Sequence, residues 1–436
     1  MIVPEILLVQ SRHRAGSLAA ILKVLGDAGL VVENISAVSR DQDLTVWEIT
    51  VEIDEDDSRG VYEAINALPN ARILGTSDRV FARHRGGKIE TRSRITINSH
   101  QILRDIYTPG VARVCLAIER DPSLVWDYTA RANTVGIVTN ATAVLGLGRL
   151  RPEASLPVME GKAALFATFA GISAVPVILA DAYDAEAIVT TVQRLAPSFG
   201  AIQLEDIAAP TCFEVEEALR ARLDIPVLHD DQEGTAVVVL AALTTVTRRL
   251  GRPLETLRIG HLGLGAAGYG IARLVHIAGA RTLFGADIDP RVCARFAALG
   301  GTVLTLEELL ERCDVVIATT GKKGLIPAER IRRGQIVFAL SNPEPEITPH
   351  AALVHGAAVA TDGRSMNNLL AFPGLFRGIL DRRARRFEDA HLLAAAQALV
   401  ALTPEKDITP DPLDPKVHEA VAEAVRRVGA GADRDS

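Results

Sequence analysis

The chain has 436 residues, of which 48% are apolar, so it can bury the cores of about two to four domains. Its 54 acidic residues outnumber its 47 basic ones, which gives a net charge of -7. This balance argues against a nucleic-acid partner, because such partners are held by a basic surface.

The first part of the chain predicts a small β-α-β-β-α-β module. Strands are predicted at residues 4–10, 31–40, 45–53 and 71–81, and helices at residues 12–30 and 58–69. The helices follow from apolar positions with 3.6-residue spacing, and the strands from alternation and β-branched residues. This order is that of a ferredoxin-like sandwich. The basic, glycine-containing stretch at residues 83–90 is predicted to be a linker.

Beyond the linker, apolar strands alternate with helical stretches, which predicts α/β layers with parallel sheets. The strands include "TVGIVT", "VPVIL" and "AIQL", then "LRIGHL", "RTLFGAD", "DVVIATTG" and "QIVFALSN". From about residue 387 the chain is helical and rich in alanine. We therefore predict an α/β protein with a C-terminal helical segment.

The cysteines are scattered and form no CxxC pair, so neither a disulfide framework nor a thiolate zinc site is indicated. At the N-terminus the basic residues follow the apolar run, which is the wrong order for a secretory signal. The longest weakly polar run, residues 166–180, is shorter than the roughly 20 residues of a membrane span. A cytoplasmic protein without a membrane partner is expected.

A glycine motif points to a dinucleotide. "GLGAAG" follows a predicted strand and precedes a predicted helix, and Asp287 ends the next strand at the expected distance. Such glycines let the backbone approach a pyrophosphate, and the carboxylate accepts from ribose hydroxyls. No basic residue occupies positions 288–290, which favours NAD over NADP. The predicted cofactor-binding residues are Gly263, Gly265, Ala266, Ala267, Gly268 and Asp287; a structural tight turn is the alternative.

Paired carboxylates follow two neighbouring strands. Glu205 and Asp206 come after "AIQL", and Asp230 and Asp231 come after a second apolar run. In a parallel sheet both pairs emerge at the same carboxyl edge, where ligands bind. Converging carboxylates require a divalent cation, and oxygen ligands select Mg²⁺ or Mn²⁺. Helix N-caps and loop ion pairs are the alternative.

Tyr107 in "YTPGVA" and Lys162 in "MEGKAALF" are of the types that move protons to and from a carbon acid and a hydroxyl. Taken singly, each is more often structural: the tyrosine in a capped turn and the lysine on a solvated helix face.

Several blocks together resemble the bacterial malic enzymes, from about residue 88 to about residue 415. They are "IYTPGVARVCLAI", "AVLGLG", "PEASLPVMEGKAALFATFAGI", "LEDIAAPTCFEVEEAL", "DIPVLHDDQEGTAVVVLAAL", "GLGAAG", "VFALSNPEPEI" and "NNLLAFPGLFRGIL". The resemblance implies that Tyr107 and Lys162 are the catalytic acid and base. It also implies that Glu205, Asp206 and Asp231 are the metal ligands.

By the same resemblance, Asp230 orients the lysine or the metal's water. Asn342 and either Asn367 or Asn368 match the substrate-binding asparagines, and Asn342 is also assigned to the cofactor side. The implied activity is oxidative decarboxylation of L-malate to pyruvate and CO2, with reduction of NAD.

Three departures from the family bear on substrate choice. The chain reads "VTNATAVLGLGRLRPEA", with Arg149 and Arg151 among the changes, where the family usually has "VTDGTAVLGLGNIGPEA". Glu233 stands where the family has histidine. The segment before Asn367 is shortened to "GRSMNN" and lies beside the substrate asparagines.

The N-terminal module resembles an ACT domain through "RAGSLAAILKVL", with Ala15 where that family commonly has proline before Gly16. Such modules pair across subunits and often bind amino acids at the pair interface. The resemblance implies a homodimer or a higher homo-oligomer with an amino-acid effector; a dimerisation module without a ligand is the alternative.

The predicted division has four parts. They are an ACT-like regulatory domain at 1–82, a substrate and catalytic domain at 83–225, a Rossmann NAD-binding domain at 226–380 and a helical segment at 381–436. Three other functions stay open. One is a malolactic-type enzyme or one acting on another 2-hydroxy acid, and the second is an ACT-gated nucleotide sensor without turnover. The third, a Rossmann-plus-ACT phosphoglycerate dehydrogenase, would give the carboxylate pairs no role.

Overall fold

The computed structural model describes residues 3–53, 58–77, 79–144 and 146–429. The chain divides into two compact units, Met1–Lys88 and Ile89–Ser436. Across the described ranges, every helix is too short or too polar to cross a membrane.

The first unit has the predicted β-α-β-β-α-β order. Its elements are β1 (Val3–Arg12), α1 (Ser17–Asp27), β2 (Val32–Arg40), β3 (Leu44–Ile53), α2 (Ser58–Asn66), β4 (Ala71–Thr76) and the short α3 (Arg79–His84). The antiparallel sheet has the order β2-β3-β1-β4. Leu7 and Val9 of β1 pack against Ile21 and Leu25 of α1 in the core of this unit. The predicted ferredoxin-like fold is confirmed.

The predicted extension of β4 to residue 81 is wrong. The strand ends at Thr76, and the hydroxyl of Ser77 accepts a hydrogen bond from Arg79 N at 3.2 Å, which starts α3. Between β1 and α1, Gly16 has φ +85°, a conformation that glycine adopts without steric cost.

The second unit opens with three helices, α4 (His100–Ile106), α5 (Val111–Arg120) and α6 (Val125–Tyr128). A parallel sheet with its helices follows: β5 (Thr134–Thr139), α7 (Leu156–Ala170), β6 (Ser173–Ile178), α8 (Ala185–Leu195), β7 (Ala201–Leu204), α9 (Thr211–Arg222) and β8 (Val227–His229). The strand order is β6-β5-β7-β8. The sequence predicts the boundary between the catalytic and NAD-binding domains after residue 225, which assigns β8 to the NAD-binding domain. The structure instead pairs β8 with β7, so β8 belongs to the sheet of the preceding domain.

A second parallel sheet follows α10 (Thr235–Arg249). Its elements are β9 (Arg258–Leu262), α11 (Ala266–Ile277), β10 (Thr282–Ala286), α12 (Pro290–Ala298), β11 (Thr302–Val303), α13 (Leu306–Arg312), β12 (Val315–Ala318), β13 (Ile336–Ala339), α14 (Pro349–Val354) and β14 (Val359–Asp362). The order β11-β10-β9-β12-β13-β14 reverses between β9 and β12. This is the doubly wound Rossmann arrangement, in which ligands bind at the point of reversal.

The predicted C-terminal helices are α15 (Phe372–Asp381), α16 (Asp389–Leu402) and α17 (Pro415–Arg427). Phe372 and Phe376 of α15 pack edge-on against Phe166 of α7, with ring centroids 4.9 and 5.3 Å apart. The helix α10 contacts both α11 and α16. The C-terminal helices therefore fix α7, which carries Lys162, relative to the two sheets.

Candidate active site

Residues Asp230–Gly234 form a π-helical turn between β8 and α10, which we call the aspartate turn. Such turns are rare and occur often at functional sites. A Cβ on Gly234 would collide with the carboxylate of Asp230. Glycine at this position therefore lets the turn keep Asp230 folded back over its own backbone.

The structure brings together the three predicted metal ligands. One carboxylate oxygen from each of Glu205, Asp206 and Asp231 lies within 4.8 Å of the others. The pairing of β7 with β8 explains this, since the first two residues follow β7 and the third follows β8. Asp206 N also donates to Asp231 Oδ2 at 2.9 Å, which joins the two strand ends directly.

Asp206 has φ +53°, which is unusual for a residue with a side chain. Its carbonyl oxygen accepts from Thr142 N at 3.1 Å and from Ala143 N at 2.9 Å. These two bonds hold the strained residue in place, and backbone strain of this kind clusters at functional sites.

The charges at the site favour a divalent cation. Burial raises the pKa of Glu205 to about 7 and that of Asp230 to about 7, and the opposing charge of Lys162 does not cancel this effect. Burial likewise raises the pKa of Asp231 to about 6. Four carboxyl groups thus face a single lysine, and a cation bound among them would offset the burial that disfavours their charged forms. An all-oxygen set of this kind fits Mg²⁺ or Mn²⁺.

Lys162 lies in the middle of this cluster. Its ammonium contacts Asp230 and lies 3.0 Å from Glu205 Oε1, and its side chain is only 11% exposed. Burial lowers the pKa of Lys162. The negative charges of Asp230, Glu205 and Asp231 raise it by more than burial lowers it, so the net shift of the pKa is upward. The ammonium also lies 4.7 Å from the centre of the Phe372 ring.

The two asparagines of "MNNLL" have different surroundings. Asn368 Nδ2 donates to Asp230 Oδ2 at 2.8 Å, so this side chain reaches the lysine cluster. Asn367 Oδ1 accepts from Leu369 N at 2.9 Å and caps the following turn. Both residues line the same cleft, as Asn342 does.

This cleft has a volume of about 800 Å³ and extends from the carboxylate cluster to the glycine loop. Its lining includes Thr142, Asp206, Asp231, Gly265, Ala266, Ala267, Thr320, Lys323, Asn342, Asn367 and Asn368. Predicted metal ligands, glycine-loop residues and substrate asparagines thus all contribute to the lining of one cavity within the second unit, although Glu205, Gly263, Gly268 and Asp287 do not line it themselves.

The glycine loop has the geometry that its motif predicts. Gly263 has φ +83°, and a Cβ there would lie 2.7 Å from the carbonyl oxygen of Thr319. A Cβ on Gly268 would collide with the carbonyl oxygen of Gly263. Side chains at these two positions would displace β12 or α11, so the glycines are needed for close approach of the backbone.

Asp287 directly follows β10, beside this loop. Its Oδ2 accepts from Leu264 N at 2.6 Å, and its Oδ1 accepts from Asp289 N at 2.9 Å. Arg291, the nearest following basic residue, donates to Asp289 Oδ2 at 2.7 Å. The guanidinium is therefore neutralised next to the position where a ribose would bind.

Tyr107 lies outside the cleft. It follows α4 as its C-terminal cap, is 70% exposed and does not contribute to the cleft lining. Neither α4 nor α5 contains a buried residue. Within the described residues, the structure does not bring Tyr107 to Lys162.

Two residues that order the site, Glu346 and Thr142, carry no distinguishing signal in the sequence. Glu346 is fully buried and accepts from Thr320 N at 2.6 Å and from the Ser341 hydroxyl at 2.5 Å, which orders the cofactor side of the cleft. It falls within the quoted "SNPEPEI" block, but nothing in that block distinguishes it from Glu344. Thr142, whose hydroxyl accepts from Ala208 N at 2.9 Å, carried no local signal.

Comparisons with known proteins identify the family of this chain. The family "Malic enzyme, N-terminal domain" matches residues 86–220, and "ACT domain" matches residues 6–70. NAD-dependent malic enzyme 1 of Bacillus subtilis is 45% identical over 96% of this chain and 96% of its own length. A bifunctional malic/malolactic enzyme of the same organism is 39% identical over 78% of this chain and 89% of its own length.

Among solved structures, malic enzyme from Pyrococcus horikoshii is 37% identical and matches with a TM-score of 0.77. The match covers 82% of this chain and 91% of that one. Together with the full-length likeness to the Bacillus relative, this shows that the chain belongs to the malic enzyme family.

Proposed function

We propose that this protein catalyses the oxidative decarboxylation of L-malate to pyruvate and CO2, with NAD and a divalent metal ion. One observation carries the proposal. Glu205, Asp206 and Asp231 converge beside Lys162, at one end of a cleft whose other end is a Rossmann glycine loop. The full-length likeness to a relative named as an NAD-dependent malic enzyme supports the choice of substrate and cofactor.

When bound, Mg²⁺ or Mn²⁺ would supply positive charge at the C2 oxygen of malate, and NAD⁺ would supply the hydride acceptor. Lys162 takes the proton of the C2 hydroxyl, for which its amine must be neutral. Burial favours the neutral amine, whereas the surrounding carboxylates oppose it. Positive charge added among those carboxylates weakens the opposing effect and lets burial dominate.

Tyr107 is the proposed acid that protonates C3, and its position supports a shared site. The phenol is exposed outside the cleft, and the neighbouring α4 and α5 also expose Leu103, Val111 and Leu116. We propose a homodimer in which a second copy covers this segment and in which Tyr107 of one copy acts in the site of the other. These apolar side chains would otherwise face water.

Two further parts of the proposal concern regulation and location. An amino acid is the proposed effector of the ACT-like unit, near the left-handed Gly16. The cytoplasmic location expected from the sequence stays a prediction that cell fractionation would test.

Malolactic conversion is the second candidate activity. It is favoured by the likeness to the bifunctional Bacillus enzyme and by the changes around Arg149, Arg151 and the shortened loop before Asn367. The two activities have different products, since a malolactic reaction releases lactate without net NADH.

The test is an assay of the purified chain with L-malate, NAD⁺ and Mn²⁺, in which NADH, pyruvate and lactate are measured together. NADH and pyruvate should form in equal amounts. Asp231→Asn should abolish metal-dependent turnover while NAD⁺ binding, followed by calorimetry, is retained. Asp224→Asn, at an exposed aspartate before β8, is the control and should behave as the wild type.

Lactate without NADH would select the malolactic reaction. NAD⁺ binding without turnover would instead favour the sensor alternative.

A further inference from the structure

We propose that Glu233, together with Arg220 and Arg273, positions the aspartate turn and thereby sets the affinity of the metal site. The inference rests on the proposed function, because it assumes that Asp231 binds a divalent ion. It concerns Glu233, which lies in the aspartate turn two residues after Asp231.

Glu216 of α9 holds both sides of the segment that carries Asp230 and Asp231. Its Oε1 accepts from His229 N at 3.0 Å, and its Oε2 accepts from Gln232 Nε2 at 2.8 Å. Asp230 and Asp231 lie between these two anchors. Any displacement of Glu216 therefore changes where both aspartates point.

Arg220 connects Glu216 to Glu233. Its guanidinium lies 3.2 Å from Glu216 Oε1 and 2.5 Å from Glu233 Oε2. Its Nε also donates to the carbonyl oxygen of Val227 in β8, at 3.2 Å. The side chain of Arg220 thus links β8, the edge strand of the β6-β5-β7-β8 sheet, to Glu233 near the C-terminal end of the aspartate turn.

The network extends to the helix of the glycine loop. Arg273 of α11 lies 3.2 Å from Glu233 Oε1 and 2.7 Å from Asp389 of α16. One turn earlier in α11, a Cβ on Gly270 would lie 2.6 Å from the carbonyl oxygen of Gln232. The backbone of α11 therefore packs directly on the aspartate turn, and Arg273 fastens it there.

The chemistry of the network explains why Glu233 is central. Its side chain is only 5% exposed, and each of its two oxygens faces a different guanidinium. A neutral amide of the same shape would remove the anion that Arg220 and Arg273, both only partly exposed, share. Buried charges that lose a partner either rearrange or draw in water. Either response would loosen the turn without removing any metal-binding carboxylate.

The experiment is calorimetric titration of the full chain with MnCl2, without substrate. Glu233→Gln should raise the Kd for Mn²⁺ by about 10- to 100-fold, the usual effect of removing a residue that supports metal ligands. Turnover at saturating Mn²⁺ should recover most of the wild-type kcat, because Glu233 touches neither substrate nor cofactor in this scheme.

Glu217→Gln is the matched control, since it removes the neighbouring α9 ion pair with Arg295 of α12 and leaves the turn network intact. It should leave the Kd for Mn²⁺ unchanged. Arg273→Lys keeps the positive charge and should weaken binding to an intermediate degree, which serves if Glu233→Gln does not fold.

An unchanged Kd in folded Glu233→Gln, or an equal loss in Glu217→Gln, would overturn the inference. A kcat that stays low at saturating Mn²⁺ would also overturn it, because positioning of the metal ligands would then not be the cause. If the wild type itself binds no Mn²⁺, the proposed metal site fails instead.

Discussion

Asp230 binds the ammonium of Lys162 through the same oxygen, Oδ2, that accepts from Asn368. The lysine comes from α7 and the aspartate from the turn after β8, so this contact joins two layers of the second unit. Asp230 is fully buried, and a Cβ on Gly234 would collide with its carboxylate. Of the two roles predicted for Asp230, the geometry favours orientation of the lysine.

The first prediction separates the partial reactions. Lys162→Ala should lower malate oxidation by about 10²- to 10⁴-fold, the usual contribution of a positioned proton acceptor. Oxaloacetate decarboxylation should fall much less, because it bypasses the hydride step. Asp230→Asn should show the same pattern in weaker form, since the amide no longer carries the charge that fixes the lysine. Equal losses in both reactions would show that Lys162 is not the base for the hydroxyl.

The second prediction concerns Tyr107, which lies outside the cleft of its own chain. Tyr107→Phe and Lys162→Ala should each be inactive or nearly so as separate preparations. If the site is shared between two copies, mixed dimers contain one site with both native residues. Mixing the variants under conditions that exchange subunits should therefore restore up to about a quarter of wild-type activity, in proportion to the mixed dimers formed.

A double variant, Tyr107→Phe with Lys162→Ala, mixed with either single variant is the control and should restore none. Failure of the single variants to complement, with subunit exchange verified by mass spectrometry, would mean that Tyr107 acts within its own chain or has no catalytic role.

The third prediction concerns the cofactor. Asp287 and Asp289 would place uncompensated negative charge beside a 2'-phosphate, and Arg291 is already paired with Asp289. NAD should be preferred over NADP by about ten- to a hundredfold in kcat/KM, which corresponds to roughly 1 to 3 kcal/mol. Asp287→Ser should reduce this preference, and Asp289→Asn should raise NADP use by freeing Arg291. Equal efficiency of the two cofactors in the wild type would refute the assignment.

The fourth prediction uses His261, which is buried in β9. Neither ring nitrogen has a hydrogen-bond partner among the described residues, and burial lowers the pKa of His261 to about 3. The unfolded chain takes up this proton near pH 6.5, so the stability due to His261 is present above that pH and is lost as the pH falls towards 3.

From pH 7 to pH 5 this linkage amounts to about 2 kcal/mol. The midpoint of thermal unfolding should therefore fall less for His261→Leu than for the wild type over this range. His350→Leu, at an exposed histidine, should follow the wild type. Parallel curves for all three proteins would exclude the linkage.

Part of the site could be predicted because it depends on local rules. Carboxylates that follow adjacent parallel strands meet at one edge, which is why Glu205 and Asp231 were placed together from the sequence. The glycine loop has similarly local causes, because a Cβ on Gly263 or Gly268 would lie too close to a backbone carbonyl oxygen. Such constraints leave a readable pattern in a short stretch of residues.

Other features depend on residues far apart in the chain. Glu233 could be noted as a departure, but its partners Arg220 and Arg273 lie on two helices that only the fold brings together. The pairing of β8 with β7 agrees with the predicted meeting of the carboxylates, but it places β8 on the N-terminal side of a domain boundary that the sequence put at residue 225. The location of Tyr107 depends on helices that bury nothing within this chain.

The fifth prediction concerns regulation through the ACT-like unit, where the left-handed Gly16 precedes α1. Among the described residues, and apart from its chain neighbours, no atom lies within 4 Å of a Cβ built on Gly16. Calorimetry of the full chain with a panel of amino acids should identify one that binds, and the same amino acid should change the KM for malate. Because linkage is reciprocal, malate must change the affinity for that amino acid by the same factor. Gly16→Ala should weaken amino-acid binding, since alanine is strained at φ +85°.

A chain that starts at Ile89 should keep turnover with malate and lose the response to the amino acid. If no amino acid binds and the truncated enzyme keeps wild-type kinetics and oligomeric state, the unit is neither a sensor nor a dimerisation module.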